Sequence, residues 1–207
     1  MKLLRVRASN YKNCGDDFLI DLVAKSKKTS EDKEYELQEV AEELFTYNTM
    51  AFIGKNASGK TSAIELLECC YSILGEFRLE DKYYNYDNVN LEIIFYHEKY
   101  IYKYTVILKS DANLGTKANF TNQHIYKKRY YKSKVKNIYD AEGFKEETNL
   151  GELPEDTSII FFILKKKLTR AVYFNCNGEG PNTYHLLFRA MKNYRLCHNK
   201  WLIFDEK

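Results

Sequence analysis

Eight consecutive residues, Gly54-Lys55-Asn56-Ala57-Ser58-Gly59-Lys60-Thr61, restrict this chain more than any other stretch, because they fit G-x-x-x-x-G-K-[ST] at every fixed position. A backbone that turns its N–H groups inward around a polyphosphate needs glycine where the turn is tight or where the anion approaches closely. In such a loop Lys60 reaches the β- and γ-phosphates, Thr61 sets its hydroxyl on Mg²⁺, and Ser62 bonds the α-phosphate.

The flanks agree with the motif. Residues 48–53 form a short apolar run that predicts a buried parallel strand entering the loop. Beyond it, Ala63, Leu66, Leu67, Cys70, Tyr71 and Leu74 recur at helical spacing and predict a helix ending at Gly75. Strand, glycine loop and helix N-terminus together make an anion site, since first-turn N–H groups and the helix dipole point the same way.

Composition excludes several classes. With 207 residues, two prolines and nine glycines, the chain supports one well-buried domain and no long linker. Its 32 basic and 29 acidic side chains are too balanced for net charge to select a nucleic acid, so a DNA surface would have to be a local patch. The five cysteines are odd in number and form no C-x-x-C pair, which is intracellular usage; Cys176, Cys197, His185 and His198 match no common zinc spacing. No apolar run approaches the roughly 18 residues of a membrane span, and residues 1–7 lack the apolar core of a signal peptide. We therefore expect a cytoplasmic protein without a membrane partner.

Along the chain, Leu3, Arg5 and Arg7 alternate with Leu4, Val6 and Ala8, and a turn at 10–17 leads into a second strand at 18–23, which predicts an opening hairpin. Residues 24–36 read as a charged loop, and 38–45 as either a short helix or an extended approach. After the helix, Leu91, Ile93 and Phe95 alternate with Glu92, Ile94 and Tyr96, and a turn at His97-Glu98-Lys99 leads into a second alternating run at 100–109. With a third strand at 123–128 these form an antiparallel meander. Near the end, Asp156 or Thr157 is placed to cap a helix running to about Leu168, and 183–196 carries apolar residues at helical spacing. The expected layout is a nucleotide-binding core at 1–80, an appended meander at 88–140 and a helical part at 154–207.

This order resembles the head domains of the RecF/SMC-like ABC-type ATPases, and within them the OLD-type and abortive-infection ATPases. The stretch Asn10-Tyr11-Lys12-Asn13-Cys14 is similar to their N-F-[RK]-[SC]-F element, and the loop fits their G-x-N-[AG]-[SA]-G-K-[ST], Asn56 included. The resemblance covers about residues 1 to 110. It implies an α/β P-loop NTPase fold and an ATP- and Mg²⁺-dependent switch in which two heads form a homodimer around two ATP molecules. It further implies an antiviral defence or DNA-maintenance role, with DNA or an effector nuclease as partner. Lys12 or Asn13 would lie near the nucleotide, and Gln123, the sole glutamine after the loop, takes the Q-loop position.

The chain also departs from that pattern. It carries no L-S-G-G-Q signature, and the nearest stretch, Asn177-Gly178-Glu179-Gly180, lacks the serine. Residues Leu202-Ile203-Phe204-Asp205-Glu206 fit a Walker B element, in which Asp205 holds Mg²⁺ through water and Glu206 polarises the attacking water. The competing reading makes them the end of a helix or connector, because only Lys207 follows. Either way we expect an incomplete head that hydrolyses ATP slowly. A small P-loop kinase is the enzymatic rival, disfavoured because 53 residues precede the loop. A GTPase lacks N-K-x-D. The rival of another class is a nucleic-acid-binding module built on the basic and aromatic run at 126–136, against which stands a solvated hairpin flank.

Overall fold

The computed structural model describes residues 1–14, 17–25, 36–79, 86–110, 118–148 and 150–163. Alternating sequence becomes strand wherever a neighbour is available to pair. The opening hairpin forms from β1 (Lys2–Ser9) and β2 (Phe18–Asp21), a second from β3 (Leu37–Ala41) and β4 (Leu44–Tyr47), and the long meander from β5 (Val89–His97), β6 (Tyr100–Ser110) and β7 (Ala118–Arg129). A two-residue strand, β8 (Lys145–Glu146), follows. The region left open between helix and extended chain is thus a hairpin.

The meander is not appended to a separate core. β1 pairs antiparallel with β5, so among the described residues hairpin and meander are one six-stranded sheet in the order β2-β1-β5-β6-β7-β8. Nine consecutive pairs join β5 to β6 without a register shift, and Glu98 and Lys99 both take positive φ in the two-residue turn between them, the twist-matched hairpin geometry.

β1 departs from simple alternation. A bulge between Leu3 and Arg5 inserts Leu4, so that Leu3 shares the inner core with Val6 and Ala8, while Leu4 joins a second cluster with Leu44, Ile94, Ile101 and Ile138. One inserted residue lets both leucines be buried, on opposite faces. Over that second cluster, Tyr139 donates from its hydroxyl to Asp21 Oδ1 at 2.7 Å and lies under the Arg5 guanidinium, 3.9 Å from the ring centre.

The one long helix among the described residues, α1 (Lys60–Glu76), covers the inner face of the sheet. Ala63, Leu66, Leu67, Cys69, Cys70, Ile73 and Leu74 are buried, a wider stripe than the spacing predicts. The extra cover comes partly from 157–163, where Ile160 is fully buried and Phe161 meets Phe77 edge-on at 5.6 Å. The helix runs through Gly75, and Phe77 ends it in the left-handed conformation at φ 60°. The later turn is capped neither by Asp156 nor by Thr157: Ser158 Oγ accepts from Ile160 N at 3.3 Å.

Residues 48–53 do not form the expected parallel strand. β4 ends at Tyr47, and among the described residues no strand lies alongside them. The alternation persists, with Met50 and Phe52 against the core and Ile53 79% exposed, yet an extended segment becomes a strand only when its N–H and C=O groups are paired.

Gln123 is a strand residue rather than a Q-loop. Its Oε1 accepts from the Tyr104 hydroxyl at 2.6 Å and Ile159 N at 2.9 Å, and its Nε2 donates to Thr157 O at 3.3 Å. Tyr104 is fully buried, and burial pushes its phenol pKa up, partly offset by a hydrogen bond with Ser158. Gln123→Ala removes the acceptor that ties 157–159 to the sheet, and we expect a loss of about 2–3 kcal/mol in urea unfolding. A variant with the wild-type midpoint would show that the amide does not hold this segment.

Candidate phosphate-binding site

The 54–61 loop leaves the extended chain and closes into α1 through two left-handed residues, Ala57 at φ 64° and Gly59 at φ 88°. Ser58 N donates to Lys55 O at 3.1 Å, and Ala63 N donates to Gly59 O at 3.0 Å as the first bond of the helix. The two fixed glycines are required for different reasons. A Cβ on Gly54 would lie 2.5 Å from Ser58 Oγ, so glycine there permits the close approach of the loop's ends. At Gly59 a Cβ would meet nothing within 4 Å, and it is the positive φ that demands glycine.

No side chain caps α1, and no acidic residue stands in its first turn. The leading N–H groups therefore face outward without an internal side-chain acceptor or a competing negative charge, which suits an incoming anion. Lys55, Asn56, Ala57, Ser58 and Thr61 are exposed; Lys60 and Ser62 are half-buried. Lys60 curls over the loop, its Nζ donating to Gly54 O at 2.6 Å and Lys55 O at 3.0 Å. That arrangement folds the ammonium back onto the loop and braces it.

Of the residues expected nearby, the structure brings Lys12 to α1. It pairs with Glu65, four residues and about one helical turn beyond Thr61, while Asn13 remains exposed. Sequence reading missed Glu65. Its only signal was the four-residue spacing from Thr61, which does not name a partner 53 positions away. Asp205, Glu206, Asn177–Gly180 and the possible zinc ligands Cys176, His185, Cys197 and His198 lie outside the described residues. Among the described residues no three His, Cys, Asp or Glu side chains gather as a metal site. Burial pushes the Cys69 thiol up to about 12 and that of Cys70 well above its ordinary value, which keeps both neutral and unreactive.

The basic run at 126–136 is partly engaged with the rest of the chain. Lys127 pairs with Glu147, Lys132 with Glu42 at 2.5 Å, and Lys128 donates to Asn137 O and Asp140 O at 3.1 and 2.8 Å. Arg129, Lys134 and Lys136 are exposed. Three of its six cations thus have protein partners and three face solvent.

Gly59→Ala forces a Cβ into left-handed backbone and is expected to lower stability by about 1–2 kcal/mol. Gly143, at φ 83° with equal open space around it, should lose a similar amount on replacement by Ala. Titration with ATP·Mg²⁺ separates the two: only Gly59→Ala should weaken binding, and equal affinities in both variants would contradict the role given to this loop.

Compared with known protein families and with curated proteins, the chain matches none of them.

Proposed function

We propose that this chain is an ATP-binding protein of the ABC-type or AAA-like ATPase class, with a P-loop NTPase fold, working as the ATPase head of a phage-defence or DNA-maintenance system. ATP with Mg²⁺ is its ligand and a second copy of the chain its partner across the ATP site, with DNA or an effector nuclease downstream, in the cytoplasm. The observation that carries the reading is the loop itself. Left-handed Ala57 and Gly59 lead into the uncapped start of a 17-residue helix, with Lys60 held over the turn. The Lys12–Glu65 pair, which sets the loop after β1 against the same helix, supports it further. Among the described residues no helix is long and apolar enough to cross a membrane.

In this reading Gly54, Lys55, Asn56, Ala57, Ser58 and Gly59 present backbone N–H groups to the phosphates, Lys60 neutralises their charge, Thr61 holds Mg²⁺ and Ser62 completes the grip. Asp205 and Glu206 are the proposed metal and water-orienting carboxylates. Hydrolysis needs a carboxylate on water, donors beyond the γ-phosphate and exclusion of solvent. The far-side donors come from a second head. A small P-loop kinase is the alternative.

Lys60→Ala should weaken ATP·Mg²⁺ binding by about 2–4 kcal/mol in calorimetry, since it removes the cation nearest the phosphates and both braces of the loop. Phosphate release by the wild type should be on the order of one per minute or slower when dilute and should rise with protein concentration. Equal ATP affinity in wild type and Lys60→Ala would refute the site. Fast, concentration-independent turnover would refute the two-head requirement.

A further inference from the structure

Two residues of the loop after β1 hold left-handed backbone although neither is glycine: Asn10 at φ 60° and Lys12 at φ 47°. Asparagine adopts that region readily, whereas lysine has no short polar side chain to support it. Between them Tyr11 is buried at 2% exposure, and Cys14 N closes the turn by donating to Tyr11 O at 2.9 Å. Strained backbone persists only where its surroundings over-determine it. Here the buried ring pegs the loop to the core. The reversal at Lys12 carries the lysine to α1, where its ammonium pairs with Glu65 and lies 5.7 Å from the centre of the Tyr11 ring.

Glu65 stands where a free carboxylate would oppose an anion at the phosphate loop. It is the first acidic residue of α1, and no Asp or Glu precedes it back to Glu43. Four residues place it about 6 Å along the axis from Thr61, and helix side chains lean toward the helix start, so its carboxylate is inclined toward the 54–61 loop. An anion held at the first N–H groups is then within about one screening length, roughly 8–10 Å, of that charge. The Lys12 and Glu65 side chains are 19% and 34% exposed, so solvent screens them less than a pair on open surface. With Lys12 in place the two charges offset each other.

We propose that Lys12 is a positioning residue of the phosphate site, whose ammonium holds and neutralises Glu65 so that α1 does not repel an incoming polyphosphate. The inference rests on the phosphate-binding reading of the 54–61 loop and brings into that site a charge from the loop after β1. It differs from a purely structural ion pair in the sign of its consequences. Losing either partner breaks the same contact, so a structural pair loses stability, and affinity with it, alike in both variants. A neutralising pair behaves otherwise: without Lys12 a negative charge is left beside the phosphates, and without Glu65 a positive one.

Calorimetric titration of the full chain with ATP·Mg²⁺ at low salt reads that sign in wild type, Lys12→Met, Lys12→Arg, Glu65→Gln and the Lys12→Met/Glu65→Gln double variant. Affinity should fall about fivefold or more in Lys12→Met and stay within about twofold of wild type in Lys12→Arg. It should rise about threefold in Glu65→Gln and return to within about twofold of wild type in the double variant. The spread among variants should narrow at high salt. Glu65→Gln decides the matter if Lys12→Met fails to fold, since an affinity at or below wild type overturns the proposal. Equal weakening in both single variants, or no change in either while Lys60→Ala still weakens binding, overturns it and leaves the phosphate site standing. A wild type that binds no ATP·Mg²⁺ refutes the site itself, and the proposal with it.

Discussion

Burial of α1 against the inner face of one antiparallel sheet is the interaction on which the remaining architecture depends. Leu66, Leu67, Ile73 and Leu74 on the helix share a continuous core with Val6, Ile93, Phe95, Tyr104 and Val106 on the strands. Each fully buried leucine or isoleucine contributes about 1.5–3 kcal/mol, and a 17-residue helix alone in water is only marginally stable. The helix therefore exists because the sheet receives it. Since α1 begins at Lys60, the same packing fixes where the 54–61 loop must turn and which way the first N–H groups point.

The loop is then constrained from both ends. Its C-terminal end is set by the helix, and its N-terminal side by Met50 and Phe52, which pack against the core. Between these anchors the chain turns within seven residues, which accounts for two left-handed positions and for the close approach of Gly54 to Ser58. Lys60 stabilises that shape from within by bonding two of its carbonyls. A shape held before any ligand arrives loses less entropy on binding, the basis of preorganised affinity.

How much of this was legible in the sequence depends on whether each feature is local. The meander, the turn at Glu98–Lys99 and the helix from Lys60 were legible because alternation and helical spacing are properties of neighbouring residues. The bulge at Leu4 was not, since both leucines look alike until β5 supplies the register. Residues 48–53 carry the composition of a buried strand, but composition does not provide a pairing neighbour. Gln123 shows the limit from the other side: one amide satisfies a phenol, a backbone N–H and a backbone carbonyl 34 positions away, and no spacing rule connects these. At the candidate site the glycines and Lys60 were readable from their motif, whereas Glu65 became meaningful only once Lys12 lay against it.

The central claim is that backbone N–H groups of this loop and of the first helical turn hold a polyphosphate. Amide hydrogen exchange, followed by mass spectrometry with and without saturating ATP·Mg²⁺, tests it at the groups concerned. Slowed exchange in peptides covering 54–63, with the sheet strands β5–β7 unchanged, is the predicted result. Exchange across 54–63 that is identical in the two conditions, or protection appearing only elsewhere in the chain, would contradict it.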